Sequence, residues 1–294
     1  MGQVHTPVII IRFSIKLRFN PAASQRLDDS PGTPNKGIHT MRLPLTLLAT
    51  CLITLTDPAG AAPKSVMDIV YARVGGHELK LDIHLPGDKK NPPLVIWIHG
   101  GAWRTGSKDN PTILYLLDHG YALASVDYRL SPVAKYPALI HDCKGAIRWL
   151  RAKAETYGYN ASKIGISGSS AGGHMVALIG VTNGSRAHEG TVGGNLGESS
   201  DVHAIVDLYG PTNFLTILHQ STPHGLSVRV PALKFLLGER PEDTPELARL
   251  ASPVFHVDKS DPPLLMLHGD QDPQVPISQS HELHAAYKRM KLEG

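Results

Sequence analysis

Five short apolar runs constrain this chain more than any other feature. Leu94-Val95-Ile96-Trp97-Ile98, Ala122 to Val126, Ile164-Gly165-Ile166, Ala204 to Leu208 and Leu264 to Leu267 are nearly continuous in apolar residues. Runs of this kind belong to strands covered on both faces, as in a parallel sheet. Helical spacing fills the intervals. Tyr136 to Tyr157 sets Leu139, Cys143, Ile147, Leu150 and Ala154 on one stripe, and Leu283, Tyr287 and Met290 mark another. Upstream, Leu79, Leu81, Ile83 and Leu85 alternate with Lys80, Asp82 and His84, which predicts a half-buried strand. Gly75-Gly76 joins it to Ile69–Val74 in an antiparallel hairpin. Strand–helix alternation predicts an α/β fold, with a mostly parallel central sheet, helices on both faces and right-handed crossovers. Residues 214–252 break the rhythm with Pro-bounded apolar patches, and are expected to form a small cap over the sheet.

Composition narrows the function. The 294 residues are 41% hydrophobic and 19% charged, an ordinary globular balance. The net charge of +3 comes from the first sixty-one residues, because residues 62–294 hold 23 basic and 23 acidic residues. A neutral body with no basic block lacks the footprint of a nucleic-acid binder. Met41-Arg42-Leu43, the apolar run Leu43–Leu55 and the small residues Ala59-Gly60-Ala61 together predict a signal peptide over 41–61, cleaved before Ala62. Residues 1–40 are then an over-extended N-terminus, and 62–294 form the mature domain, secreted or periplasmic, with no stable membrane insertion. An uncleaved N-terminal anchor is the alternative. Of the two cysteines, Cys51 falls in the leader, and Cys143 reads as a buried helix position.

Three motifs follow strands. Gly168-Ser169-Ser170-Ala171-Gly172 lies between a strand and the helical Gly173 to Leu178, the context in which G-x-S-x-G exposes a nucleophilic serine at a sharp turn. The helix start brings free N–H groups near the Ser170 oxygen. His99-Gly100-Gly101-Ala102-Trp103 follows Ile98, and its glycines let backbone N–H groups turn inward to hold an oxyanion together with the N–H of Ala171. Leu267-His268-Gly269-Asp270-Gln271-Asp272 ends the last run with a carboxylate in the chain order Ser…Asp…His. Asp270 and Asp272 both qualify, and either also suits a turn that caps the next helix. Each motif alone also describes a tight structural turn.

From about Val66 onward, the chain resembles the α/β-hydrolase esterase/lipase family with the His-Gly-Gly oxyanion motif. It is most similar to the bacterial feruloyl and acetyl-xylan esterase branch. Further matching segments are Asp127-Tyr128-Arg129-Leu130-Ser131-Pro132, Gly193-Gly194-Asn195-Leu196-Gly197 with Ser200, Tyr209 to Phe214, and Ala251-Ser252-Pro253. The resemblance implies Ser170 as nucleophile, Asp272 as triad acid, and the N–H groups of Gly101, Ala102 and Ala171 as oxyanion hole. It also implies a catalytic histidine in a Gly-x-x-His-Gly loop after one further strand.

None of the 16 histidines fits that place. His281 and His284 follow Asp272 too closely, His256 precedes it, and His99 and His268 belong to turn motifs. The expectation is therefore a chain truncated before its last strand and catalytic-histidine loop, with the histidine beyond Gly294. Such a chain is an impaired catalyst with the outer edge of Leu264–Leu267 unpaired. A cap histidine acting as substitute base is the alternative. The activity implied is a serine carboxylic ester hydrolase working through an acyl-enzyme on short-chain or polysaccharide-linked acetyl and feruloyl esters. A formamidase-like amide hydrolase and a non-catalytic ligand-binding relative are the other classes. No metal cluster or phosphate loop is visible, so no cofactor is implied, and the partner expected is the ester substrate alone.

Overall fold

In the computed structural model, residues 62–291 and the backbone of Val8–Phe13 are described. The elements in chain order are β1 (Val8–Phe13), β2 (Lys64–Val74), β3 (His77–Leu85), β4 (Pro93–Ile98), β5 (Ala122–Val126), α1 (Ala138–Ala152) and α2 (Ala154–Tyr157). They continue with β6 (Asn160–Ser169), α3 (Ala171–Gly180), α4 (Arg186–Glu189), β7 (Ala204–Leu208), α5 (Ile217–Gln220), α6 (Pro223–Leu237), α7 (Pro245–Leu250), β8 (Leu264–Gly269) and α8 (Ser278–Arg289). The strands form one eight-stranded sheet in the order β1-β8-β7-β6-β4-β5-β3-β2. The β2–β3 hairpin and the β3–β5 pair are antiparallel, and every other pairing is parallel. This is the α/β architecture that the sequence predicts.

All five apolar runs are strands, but coverage is uneven. Leu264, Met266 and Ile205 are buried, whereas Leu265, Leu267, Val206 and Leu208 are half-buried and line a cavity of about 580 Å³. Helix α3 packs against β6 and β7, and among the described residues the face that carries Val206, Leu208, Leu265 and Leu267 stays partly open. The expectation of cover on both faces is corrected there. A second correction concerns β3. Its polar alternates Asp82 and His84 are buried rather than solvated. His84 Nδ1 pairs with Ser65 Oγ at 2.8 Å. Lys108 Nζ lies 3.0 Å from Asp82 and 3.0 Å from Asp68. Asp82 also accepts the N–H of Asp68, which sits at φ 57° where β2 bulges.

A third correction lies at the opposite edge. The outer side of β8, expected unpaired, carries β1 in parallel, with Val8 opposite Leu264 and Phe13 opposite Gly269. The other expectations for residues 1–61, including the leader, fall outside the described residues. Between β7 and β8 the chain forms α5, α6 and α7, where the cap insertion is expected. Helix α6 starts at a Thr222 cap that accepts the N–H of Gly225 and stops at left-handed Gly238, φ 96°. The Cys143 thiol is free and fully buried in α1, as expected.

Among the described residues Lys108 is the one cation that pairs with Asp82, so Lys108→Met leaves a carboxylate buried without its charge partner. Loss of one member of a buried pair costs about 3–5 kcal/mol. The expected result is a matching fall in unfolding free energy in urea, and a loss below about 1 kcal/mol would show that the pair contributes little.

Candidate active site

The turn between β6 and α3 carries Ser170 at φ 54° and ψ −116°, an unfavourable backbone for a residue with a side chain. Crowding enforces it. A Cβ at Gly172 would collide with the carbonyl oxygen of Ile98, and one at Gly168 would stand 2.6 Å from the carbonyl oxygen of Gly172. The Ser170 N–H donates to Leu208 O at 2.8 Å, and Ser170 O accepts from His174 N at 3.0 Å, so strand and helix hold the residue from both sides. The side chain is half-buried, and among the described residues its Oγ has no hydrogen-bond partner.

The loop after β4 comes against it. A Cβ on Gly100 would lie 3.5 Å from Ser170 Cβ. Gly101, Ala102 and Trp103 then take successive left-handed conformations, φ 110°, 53° and 58°. Arg104 and Thr105 N–H groups close the turn on Gly101 O at 3.0 and 3.1 Å. No described acceptor takes the N–H of Gly101 or Ala102, and the N–H of Ala171 opens α3 without an intrahelical partner. Three backbone donors thus remain free around one serine.

The last residue of the glycine motif locks this arrangement. Trp103 is fully buried, and its indole N–H donates to His174 Nδ1 at 3.2 Å. Indole nitrogen only donates, so His174 Nδ1 accepts and Nε2–H donates to Ala251 O at 2.7 Å. The imidazole also stacks on Phe214, ring centroids 4.7 Å apart. Burial pushes its pKa down to about 4, so the ring stays neutral. His174 is therefore a positioning residue that ties the candidate oxyanion loop to the serine helix. A histidine four residues after the serine was the available signal, since that offset places it one helical turn along α3.

Asp272 sits in the turn after β8, two strands from Ser170, or about 10 Å at ordinary strand spacing. Its Oδ1 accepts the N–H groups of Gln274 and Val275 at 2.8 and 2.9 Å, the turn geometry that the sequence allowed. Its Oδ2 lies 3.7 Å from His268 Nε2. His268 is committed elsewhere: Nε2–H donates to Val275 O at 2.9 Å and Nδ1 accepts from Ser280 Oγ at 2.7 Å. Asp270 is exposed, and among the described residues its carboxylate accepts no backbone N–H. Helix α6 grips the Asp272 turn through Thr222 Oγ1 to Pro273 O, 2.8 Å, and Arg229 Nη2 to Gln274 O, 3.3 Å. Arg229 is 1% exposed and stands 6.0 Å from the Trp103 ring centroid. Burial lowers its pKa to about 10, which leaves the guanidinium charged at neutral pH.

Among the described residues no imidazole bonds to Ser170. His99 lies on Tyr128 with Nδ1 at Gly100 O, 2.8 Å, and His188 and His256 both meet Leu250 O. The expected site beyond Gly294 falls outside the described residues.

The BD-FAE profile matches residues 81–287, which spans the serine turn, the glycine loop and the Asp272 turn. The chain belongs to the BD-FAE family. This is an α/β-hydrolase esterase family, so the sequence resemblance is borne out. Among curated proteins, Esterase LipC of Mycobacterium tuberculosis is 35% identical over 197 residues, 65% of this chain and 47% of that protein. Esterase LipQ of the same organism is 33% identical over 230 residues, 75% of this chain and 52% of that one. The chain thus spans about half the length of these curated relatives. Among solved structures, a truncated carbohydrate esterase from gut microbiota is 35% identical with a TM-score of 0.71, covering 78% of this chain and 85% of that one. Est2 of Thermogutta terrifontis is 27% identical with a TM-score of 0.59, covering 80% and 79%.

Two outcomes are expected of this BD-FAE site. Trp103→Phe strips the donor from buried His174 Nδ1, which costs about 1–3 kcal/mol of stability. It also loosens Gly101 and Ala102, so kcat falls about tenfold while KM holds. A parallel change in both constants would refute the positioning role.

The pH dependence of stability follows from the same ring. His174 titrates near 6.5 when unfolded and at about 4 when folded. Above pH 7 both states are neutral and the ring contributes nothing. As pH falls through 6.5, the unfolded chain binds a proton that the folded one refuses, so stability drops, by about 2 kcal/mol at pH 5. Urea unfolding at pH 7.5 and pH 5 should show that His174→Gln removes this part of the acid sensitivity.

Proposed function

We propose that this protein is a serine carboxylic ester hydrolase acting on acyl esters carried by carbohydrate, of the acetyl or feruloyl kind. One observation carries the proposal: a half-buried serine on a strained strand–helix turn, beside a glycine loop and a helix start whose Gly101, Ala102 and Ala171 N–H groups take no described acceptor. The carbohydrate-esterase likeness at 35% identity supports the substrate class.

The chemistry follows from the atoms present. Ser170 Oγ attacks the ester carbonyl carbon, and the carbonyl oxygen becomes an oxyanion. Backbone donors fixed near that oxygen stabilise it without reorganising, which makes this term large. Collapse expels the alcohol, which carries off the proton from Ser170 and leaves an acyl-serine. Water then repeats the addition and releases the acid. Proton transfer calls for an imidazole between Ser170 and a carboxylate, and Asp272 Oδ2 is the edge left free of backbone donors to seat one.

The protein should release p-nitrophenol from p-nitrophenyl acetate with an acyl-enzyme seen by mass spectrometry at Ser170. Ser170→Ala should abolish that adduct and lower kcat, by up to about 10⁶-fold where an imidazole serves the serine, to a residue set by the oxyanion donors and binding. Full turnover in the alanine protein would remove Ser170 from the mechanism.

Export belongs to the same proposal. Cleavage before Ala62 separates Val8–Phe13 from the domain and bares the outer edge of β8. N-terminal sequencing of protein exported by a secreting bacterial host should begin at Ala62, and an exported chain that retains residues 1–40 would defeat the leader assignment.

A further inference from the structure

The outer side of α6 borders a second recess. Ser131, Pro132 and Lys135, from the turn ahead of α1, face Pro231, Lys234 and Phe235 of α6 across a cavity of about 420 Å³. Its floor is apolar, and Phe235 is 44% exposed. The Arg104 guanidinium lies 4.9 Å from the Phe235 ring centroid. Lys135, Lys234 and Arg104 are all exposed, and none forms an ion pair among the described residues. No carboxylate lines the cavity. Ser131 is 4% exposed, yet its Oγ has no partner. The recess is fastened to the oxyanion loop, because the Ser131 N–H donates to Trp103 O at 2.7 Å.

These features describe a ligand. Two unpaired lysines, with Arg104 close by on the Phe235 ring, call for an anion, a flat apolar floor calls for a ring, and a buried hydroxyl without a partner calls for a polar group on that ring. Apolar pockets with a few placed polar groups are the usual form of a ligand site. An aromatic acid without a ring hydroxyl satisfies the first two demands and leaves Ser131 Oγ unpaired at a cost. A sugar carboxylate satisfies all three.

We propose that this recess is a subsite for a uronic acid residue of the polysaccharide that bears the ester. The pyranose ring lies on Phe235, Pro132 and Pro231, its carboxylate meets Lys135 and Lys234, and a ring hydroxyl pairs with Ser131 Oγ. This inference rests on the carbohydrate-ester reading, and names the kind of glycan selected.

The test is direct binding by calorimetry, with glycans that carry no acyl group, so that the outcome does not depend on turnover. The probes are a xylo-oligosaccharide substituted with glucuronic acid, the same oligosaccharide after reduction of its carboxyl group, and free ferulate. The acidic glycan should bind about tenfold more tightly than its reduced form, as expected of two exposed charge pairs. Lys135→Gln with Lys234→Gln should erase that difference, with folding checked by circular dichroism. The difference should also shrink as salt rises from about 10 to about 150 mM. Equal affinity for the acidic and reduced glycans would overturn the proposal without any variant, and so would a preference that survives the double substitution. Ferulate binding in place of the acidic glycan would assign the recess to an aromatic acid and equally overturn it. Failure of the esterase reading looks different: glycan binding persists while p-nitrophenyl acetate and acetylated xylan are left intact.

Discussion

The approach of α3 to the end of β4 is the constraint on which the rest of the site depends. Helix and strand come so close that the carbonyl oxygens of Ile98 and His99 occupy the space of a side chain at position 172. Only glycine meets that demand, and Gly168 and Gly100 answer the same crowding from the strand and from the loop. The closeness forces Ser170 out of ordinary backbone space and brings the glycine loop against its Cβ. It also buries every residue of α3. Strain at one serine and three free backbone donors are thus consequences of one packing decision.

Such an arrangement persists only if its neighbours are fixed, and here buried polar side chains fix them. Trp103 reaches across 71 residues to His174, which reaches 77 more to Ala251. Lys108 pins the stretch after the glycine loop to β2 and β3 through Asp68 and Asp82. Each bond is worth little net, but an unmet partner in the interior is expensive. That asymmetry makes the native loop conformation hard to leave, so the precision of the candidate site is stored in the cost of the alternatives.

The sequence exposed the parts whose cause is local. Continuous apolar runs became strands, and the Gly-x-Ser-x-Gly turn, the glycine loop and the Asp272 turn stand at strand ends because strand, turn and helix propensities act over a few residues. What stayed hidden depends on partners far along the chain. Asp82 and His84 alternate with leucine and isoleucine as solvated residues do, and only Lys108 and Ser65 explain their burial. His174 looked like an ordinary residue of an apolar helix until Trp103 faced it. Arg229 lay in a segment read as cap, with no periodicity to announce a buried guanidinium. The strand Val8–Phe13 was hidden because the neighbouring leader pattern explained its surroundings in another way.

Helix α6 joins these two levels. Its inner side carries Thr222 and Arg229, which hold the Asp272 turn through backbone carbonyls rather than through the carboxylate itself. Its outer side carries Pro231, Lys234 and Phe235, which border the second recess. A ligand that presses on the outer side acts on the same rigid element that holds the Asp272 turn, while Ser131 connects that recess to the glycine loop through Trp103. Two of the three candidate turns are therefore mechanically attached to one recess. In such an arrangement, binding energy from a remote part of the substrate is available at the reacting carbonyl, the condition under which it raises kcat rather than merely lowering KM.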